Sequence, residues 1–356
     1  MKIMRSEARD ILNKGTVIPA IPLALDEKRN FNEKRQRALV KYYLHAGAGG
    51  IAVAVHTTQF EIRLPEVNLF NRVVKTILDE IELFEKKNSK VIVKIVGVCG
   101  KVEQAVSETR FADEINADAV LLSPGGLADL TEDEMIERTK VVADIMPVVG
   151  FYLQPAVGGR ILSADYWKRL SDIDGVVAIK CAPFNRYQTI DLVRGVAMSK
   201  RYSEIALYTG NDDNILIDLI TKYEINIRGK KVEKRIVGGL LGHWAVWTKT
   251  VVDLFEKIQI YREDKNINIP SELLTLAVKI TDANAAFFDA ANNYAGCIPG
   301  IHEVLRRQGL FEGIWCINPK ETLSPGQYAE IDRVYADYPE LNDDDFVKAH
   351  LDEWLK

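Results

Sequence analysis

The stretch GVVAIKCAP, Gly175 to Pro183, is an apolar run of strand length that closes on a lysine, a cysteine and a proline. Its apolar residues are consecutive rather than alternating, the pattern of a strand covered on both faces, as in a parallel sheet. Lysine is almost never fully buried without a partner. Lys180 is therefore either a side chain snorkelling at a strand end or an amine with a chemical task.

Outward from this run, seven further segments read as strands: TVIPAIPLAL (16–25), GIAVAVHT (50–57), VIVKIVGVC (91–99), AVLLSPG (119–125), VVGFYLQP (148–155), IALYTGN (205–211) and RIVGGLLG (235–242). Between them lie segments such as EKRQRALVKYYLHAG and TEDEMIERTKVVADIM, in which apolar residues return every three or four positions, as in amphipathic helices. Thr131 and Glu134 form a capping box, and Ser163 is placed as a helix cap. Eight strand-then-helix units in succession predict an α/β chain with a TIM (β/α)8 barrel over residues 1–259, near the roughly 250 residues usual for that fold. An open doubly wound sheet is the alternative, but no GxGxxG follows the first strand. Residues 260–356 read as a C-terminal helical extension packed on the barrel or on another subunit, with Ser324 and Gln327 as a cap and its reciprocal partner.

Composition narrows the function. The chain has 356 residues, 47% of them hydrophobic, and a formal net charge of −5. That charge gives no electrostatic footprint for nucleic acid, and the basic run RGKKVEKR (228–235) reads as a solvated loop. The charged N-terminus lacks the apolar core of a signal peptide, and no apolar run reaches membrane-spanning length, so no membrane contact and a cytoplasmic location are expected. The four cysteines form no CxxC pair and the five histidines no HxH or HExxH. Neither a metal nor a cofactor is therefore expected.

In such barrels chemistry sits at the C-terminal ends of the strands. Alternation along the sixth strand sends Val176, Ala178 and Lys180 inward. In the fifth strand it sends Gly150, Tyr152 and Gln154 inward and Phe151 and Leu153 outward, which sets Tyr152 beside Lys180. An unperturbed lysine has a pKa of about 10.4 and is a poor nucleophile at neutral pH. Burial disfavours its ammonium, and the free amine attacks a ketone to give a Schiff base, with a neighbouring phenol moving the protons. Lys94, within VIVKIVGVC, is the rival amine, at a depth that suits an ion pair.

At these residues the chain resembles the class I aldolase and dehydratase superfamily of dihydrodipicolinate synthase and N-acetylneuraminate lyase. GFYLQP and VVAIKCAP place the tyrosine and lysine 28 residues apart, and GGIAVAVHTTQFE is similar to the family's Gly-Thr-Thr-Gly-Glu loop. TGNDD (209–213) is similar to the family's Ser-Gly-Asp-Asp. The resemblance implies Lys180 as the Schiff-base lysine, Tyr152 as proton shuttle and Thr57 in a hydroxyl relay. It further implies Thr58, His56, Gly210, Asn211 and Gln154 around a small-molecule 2-oxo acid such as pyruvate, in a homo-oligomer (dimer or tetramer). Parity points His56 and Thr58 inward rather than Thr57, so the relay threonine stays open. His56 and Gln59 replace the family's glycines. SPGGLADL lacks the synthases' tyrosine after strand four, and their arginine after YxxP falls on Val157, with Arg160 three residues on. A phosphate-binding barrel, suggested by VGGLLG beside TGN, and a non-catalytic or regulatory barrel are the alternatives.

Overall fold

The computed structural model describes residues 2–263 and 268–356. Its strands are β1 (Val17–Pro19), β2 (Gly50–Val53), β3 (Val93–Val98), β4 (Ala119–Leu122), β5 (Val148–Leu153), β6 (Val176–Ala182), β7 (Ala206–Thr209), β8 (Lys222–Ile227) and β9 (Lys230–Leu241). The helices up to the last of these strands are α1 (Ser6–Lys14), α2 (Glu33–Ala46), α3 (Phe70–Asn88), α4 (Val102–Glu114), α5 (Glu132–Ala143), α6 (Ala164–Ser171), α7 (Arg186–Met198) and α8 (Ile215–Ile220). Five more follow: α9 (Thr248–Glu263), α10 (Glu272–Phe288), α11 (Cys297–Arg307), α12 (Gln327–Asp337) and α13 (Asp344–Trp354). This is the strand–helix succession of a (β/α)8 barrel with an appended helical region. The chain divides into two compact units, Met1–Thr16 with Val93–Leu240 and Val17–Ile92 with Leu241–Lys356.

The first unit is a parallel sheet in the order β3-β4-β5-β6-β7-β9. Strands β3 to β7 are buried along nearly their whole length, as the unbroken apolar runs require. Helices α5 and α6 begin on side-chain caps read from sequence. Thr131 and Glu134 exchange hydrogen bonds of 3.2 and 2.7 Å, and the Ser163 hydroxyl accepts from the Tyr166 amide at 3.0 Å. RGKKVEKR is not a loop. Its Arg228 and Gly229 are the two positive-φ residues of a tight turn, and β8 pairs antiparallel with β9 from Lys222↔Arg235 to Ile227↔Lys230. Alternation in KYEINI matches this: Lys222, Glu224 and Asn226 are exposed while Tyr223, Ile225 and Ile227 are half-buried.

The second unit joins β1 and β2 through a parallel bridge at Ala20 and Ala52 and packs α2, α3 and α9–α13 around them. The buried Tyr42 hydroxyl donates to Asp343 at 2.6 Å and accepts from the Thr248 amide at 2.7 Å, tying α2 to the starts of α9 and α13. Trp354 donates through Nε1 to His45 Nδ1 at 2.5 Å. At α12 the expected reciprocal pair is half formed: the Gln327 side chain accepts from the Ser324 amide at 3.1 Å, while the Ser324 hydroxyl donates to Asp289 at 2.5 Å and Gly326 immediately precedes the helix.

Candidate active site

The faces of the first unit's sheet are fixed by what their side chains touch. Lys180 pairs in register with Phe151 on β5 and Tyr208 on β7, so the three share one face. Lys180 Nζ stands 4.5 Å from the centroid of the Phe151 ring, an ammonium on an aromatic face. The neighbouring row of that face runs Gly97, Leu121, Val149, Ala178 and Ala206. Lys94, of opposite parity on β3, lies on the other face and does not compete with Lys180 for this position.

The lysine's space is made by a missing side chain. A Cβ on Gly210 would fall 2.5 Å from Lys180 Cε and 2.7 Å from Ala182 Cβ, closer than side chains approach, so only glycine lets the amine end lie against the loop after β7. Two residues further along that loop is Asp212, 5% exposed. Burial pulls the Lys180 ammonium down to about 8, and the charge of Asp212 works against that pull. The Tyr208 hydroxyl is engaged elsewhere, donating to the Leu12 carbonyl at 2.8 Å.

Tyr152 is on the other face, contrary to the strand-five parity expected above. It pairs with Cys181 rather than Lys180, and its ring packs 4.8 Å from Trp167 on α6. Gly150, of the same parity, faces Leu170 on that helix. The Tyr152 hydroxyl accepts from the Leu162 amide at 3.3 Å, so the phenol holds the loop before α6 and is not the neighbour of Lys180. Replacement Tyr152→Phe is accordingly expected to cost about 1 kcal/mol of stability through that one lost hydrogen bond, read in a urea melt, with turnover within threefold of wild type.

Asn211 is also structural. Its side chain accepts from the amide of Phe184, a residue with φ of 52°, at 2.9 Å and donates to Asp218 at 2.9 Å. Asp218, fully buried on α8, further accepts from Thr209 at 2.7 Å and Asn214 at 3.1 Å and is paired with Arg186. This network, which the sequence reading missed, locks β7, the loop after it and α8 together. Gln154 is half-exposed at the end of β5, where its carbonyl accepts from the Gly159 amide at 3.0 Å. The glycines of VGGLLG serve packing, since a Cβ on Gly238 would fall 2.5 Å from the Thr16 carbonyl oxygen.

In the second unit HTT forms a short 3-10 turn after β2. Thr57 donates to the Ala20 carbonyl at 2.7 Å and Thr58 to that of Ile21 at 2.8 Å. Thr58 also accepts from the Val55 amide at 3.3 Å, so its hydroxyl is committed in both directions to tying β2 to the end of β1. His56 is exposed, with its ring 6.1 Å from that of Phe60. Gln59 is fully buried at φ 66° and accepts from the Ile317 amide at 2.6 Å. His243 is buried against Phe287, which pulls its pKa down to about 4.

Residues 13–221 match the model of the dihydrodipicolinate synthetase family. A 154-residue stretch, 42% of this chain, is 27% identical to the 4-hydroxy-tetrahydrodipicolinate synthase of Acetivibrio thermocellus and spans half of that enzyme's length. Among solved structures, the dihydrodipicolinate synthase of Acinetobacter baumannii complexed with pyruvate is similar with a TM-score of 0.71 and 19% identity, over 91% of this chain and 99% of that one. CdNal from Clostridium difficile, in complex with mannosamine, is similar with a TM-score of 0.69 and 18% identity, over 91% and 99%. These likenesses agree with the (β/α)8 fold class.

Proposed function

Because the chain belongs to the dihydrodipicolinate synthetase family, we propose that it is a class I lyase, an aldolase or dehydratase, whose Lys180 forms a Schiff base with a 2-oxo acid such as pyruvate or a 2-oxo sugar acid. The observation that carries this is a buried amine at the end of β6 with its pKa lowered to about 8 and its approach cleared by Gly210. Once formed, the protonated imine draws electrons from the adjacent carbon, so the neighbouring carbon–carbon or carbon–oxygen bond can break with its electron pair held as an enamine. Arg160, the nearest arginine after the YxxP motif, donates to the Leu130 carbonyl, and SPGGLADL supplies no tyrosine. Both departures favour a partner substrate other than that of the synthases. The same reading makes the protein a cytoplasmic homodimer or tetramer, which sedimentation of the purified chain tests.

Borohydride reduction in the presence of pyruvate, followed by peptide mass spectrometry, is the direct experiment. A reduced adduct on Lys180 supports the reading, and none across a panel of 2-oxo acids overturns it. The trapping rate is expected to climb about tenfold per pH unit below about 8 and to level off above, since the neutral amine is the nucleophile and its population follows that pKa. A profile flat from pH 6 to 9 contradicts a buried free amine at this position.

A further inference from the structure

Between the sheet of the first unit and its helices lies a buried cation with no carboxylate partner. Arg138 on α5 is 2% exposed. Its Nε donates to the Gly100 carbonyl at 2.8 Å and its Nη2 to the Ser123 carbonyl at 3.1 Å, which ties together the loops that follow β3 and β4. Among the described residues Nη1 has no hydrogen-bond partner, and no carboxylate lies within ion-pair distance of the guanidinium. The carboxylate whose field reaches it is that of Glu108, which accepts instead from the Cys99 amide at 3.0 Å and from Gln104 at 2.7 Å. Buried charges are ordinarily paired, because a lone one loses its hydration with nothing in return.

A second polar group without a partner faces the same space. Tyr166 on α6 is 4% exposed, and its hydroxyl has no hydrogen-bond partner among the described residues. Arg138 and Tyr166 both line a cavity of about 10 Å³, whose other walls include Leu122, Met135, Gly150 and Leu170. That is room for one water-sized species. Burial pulls the Arg138 guanidinium down only to about 10 and pushes the Tyr166 phenol up. At neutral pH the cavity therefore meets a cation and a protonated phenol, each with a hydrogen to donate.

We propose that the Arg138 guanidinium and the Tyr166 hydroxyl hold a single halide ion, such as chloride, in this cavity. A water there would accept the hydrogen bonds but leave the charge without a counter-ion. Acetate, phosphate and sulfate are too large for the space. A spherical anion takes hydrogen bonds from any direction, and bonds to an ionised partner are the stronger ones. By fixing Arg138, the ion also braces the Gly100 and Ser123 carbonyls, and with them the loops at the C-terminal ends of β3 and β4. Nothing in this site depends on the Schiff-base reading, so the two ideas fail separately.

The test compares the full-length protein in potassium chloride and in potassium methanesulfonate at equal ionic strength, since methanesulfonate screens charge equally but cannot enter the cavity. The urea midpoint is expected to rise saturably with chloride and not with methanesulfonate. Crystals soaked in bromide are expected to show an anomalous peak beside Arg138 Nη1 and the Tyr166 hydroxyl. Tyr166→Phe removes one hydrogen bond to a charged group and is expected to weaken the apparent chloride affinity on the order of 10–100-fold, with the midpoint in methanesulfonate close to that of wild type. Arg138→Met is expected to abolish the chloride response; if that variant does not fold, Tyr166→Phe carries the test alone. Equal wild-type midpoints in the two salts overturn the proposal, and so does a missing bromide peak, which assigns the cavity to water. A chloride response undiminished in Tyr166→Phe overturns it as well, because the ion then binds elsewhere.

Discussion

Lys180→Met is expected to abolish adduct formation and to lower turnover on the order of 10⁴-fold or more, the scale on which loss of a covalent nucleophile acts. The same replacement is expected to make the folded protein more stable at neutral pH. The unfolded chain keeps the lysine's proton up to about 10.5, whereas the folded chain releases it near about 8. Folding therefore carries the cost of burying an ammonium below about 8, a cost relieved as pH rises from there toward about 10.5. A shift of this size corresponds to roughly 3 kcal/mol. Urea midpoints should place Lys180→Met above wild type at pH 7, with the gap closing by pH 10. A variant that loses both trapping and stability would mean that the lysine is a structural member of the sheet.

Asp218→Ala is expected to be the most damaging single change to the fold of the first unit. It would leave the side chains of Arg186, Thr209 and Asn211 without their common acceptor. Breaking a buried charged network by removing one partner costs about 3–5 kcal/mol, a large part of the 5–15 kcal/mol or so that separates most folded proteins from unfolding. The loss is read as a fall in urea midpoint. Asp218→Asn, which keeps the shape and part of the hydrogen bonding, should fall between. If Asp218→Ala melts with wild type, the network is not what holds α8 to β7.

The strand–helix rhythm was legible because apolar runs of strand length and helical periodicity are local properties. Lys180 was legible for the same reason, as a charge ending an apolar run. The orientation of Tyr152 was not. VVGFYL is apolar at every position, so a period of two leaves no mark on it, and a one-residue error in parity exchanges Phe151 for Tyr152 beside the amine. The register irregularities in β5–β6 and β7–β9 add a further offset that no single strand reveals. Asp218 escaped, and Asn211 was legible only as a substrate contact and not as a structural residue, because their partners come from several segments. The hairpin, by contrast, could have been read from the alternation of KYEINI and from Arg228-Gly229, had the basic run not suggested a loop.

Strand β9 is twelve residues long, and its first half belongs to the hairpin while its second half is a stave of the sheet. The two halves are one continuous strand, and the hairpin turns at Arg228-Gly229. A peptide tag inserted at that tip would be displayed on a β-ribbon whose other end is paired in the sheet. The protein thus carries a built-in handle for immobilisation or labelling, provided by the shape of one strand.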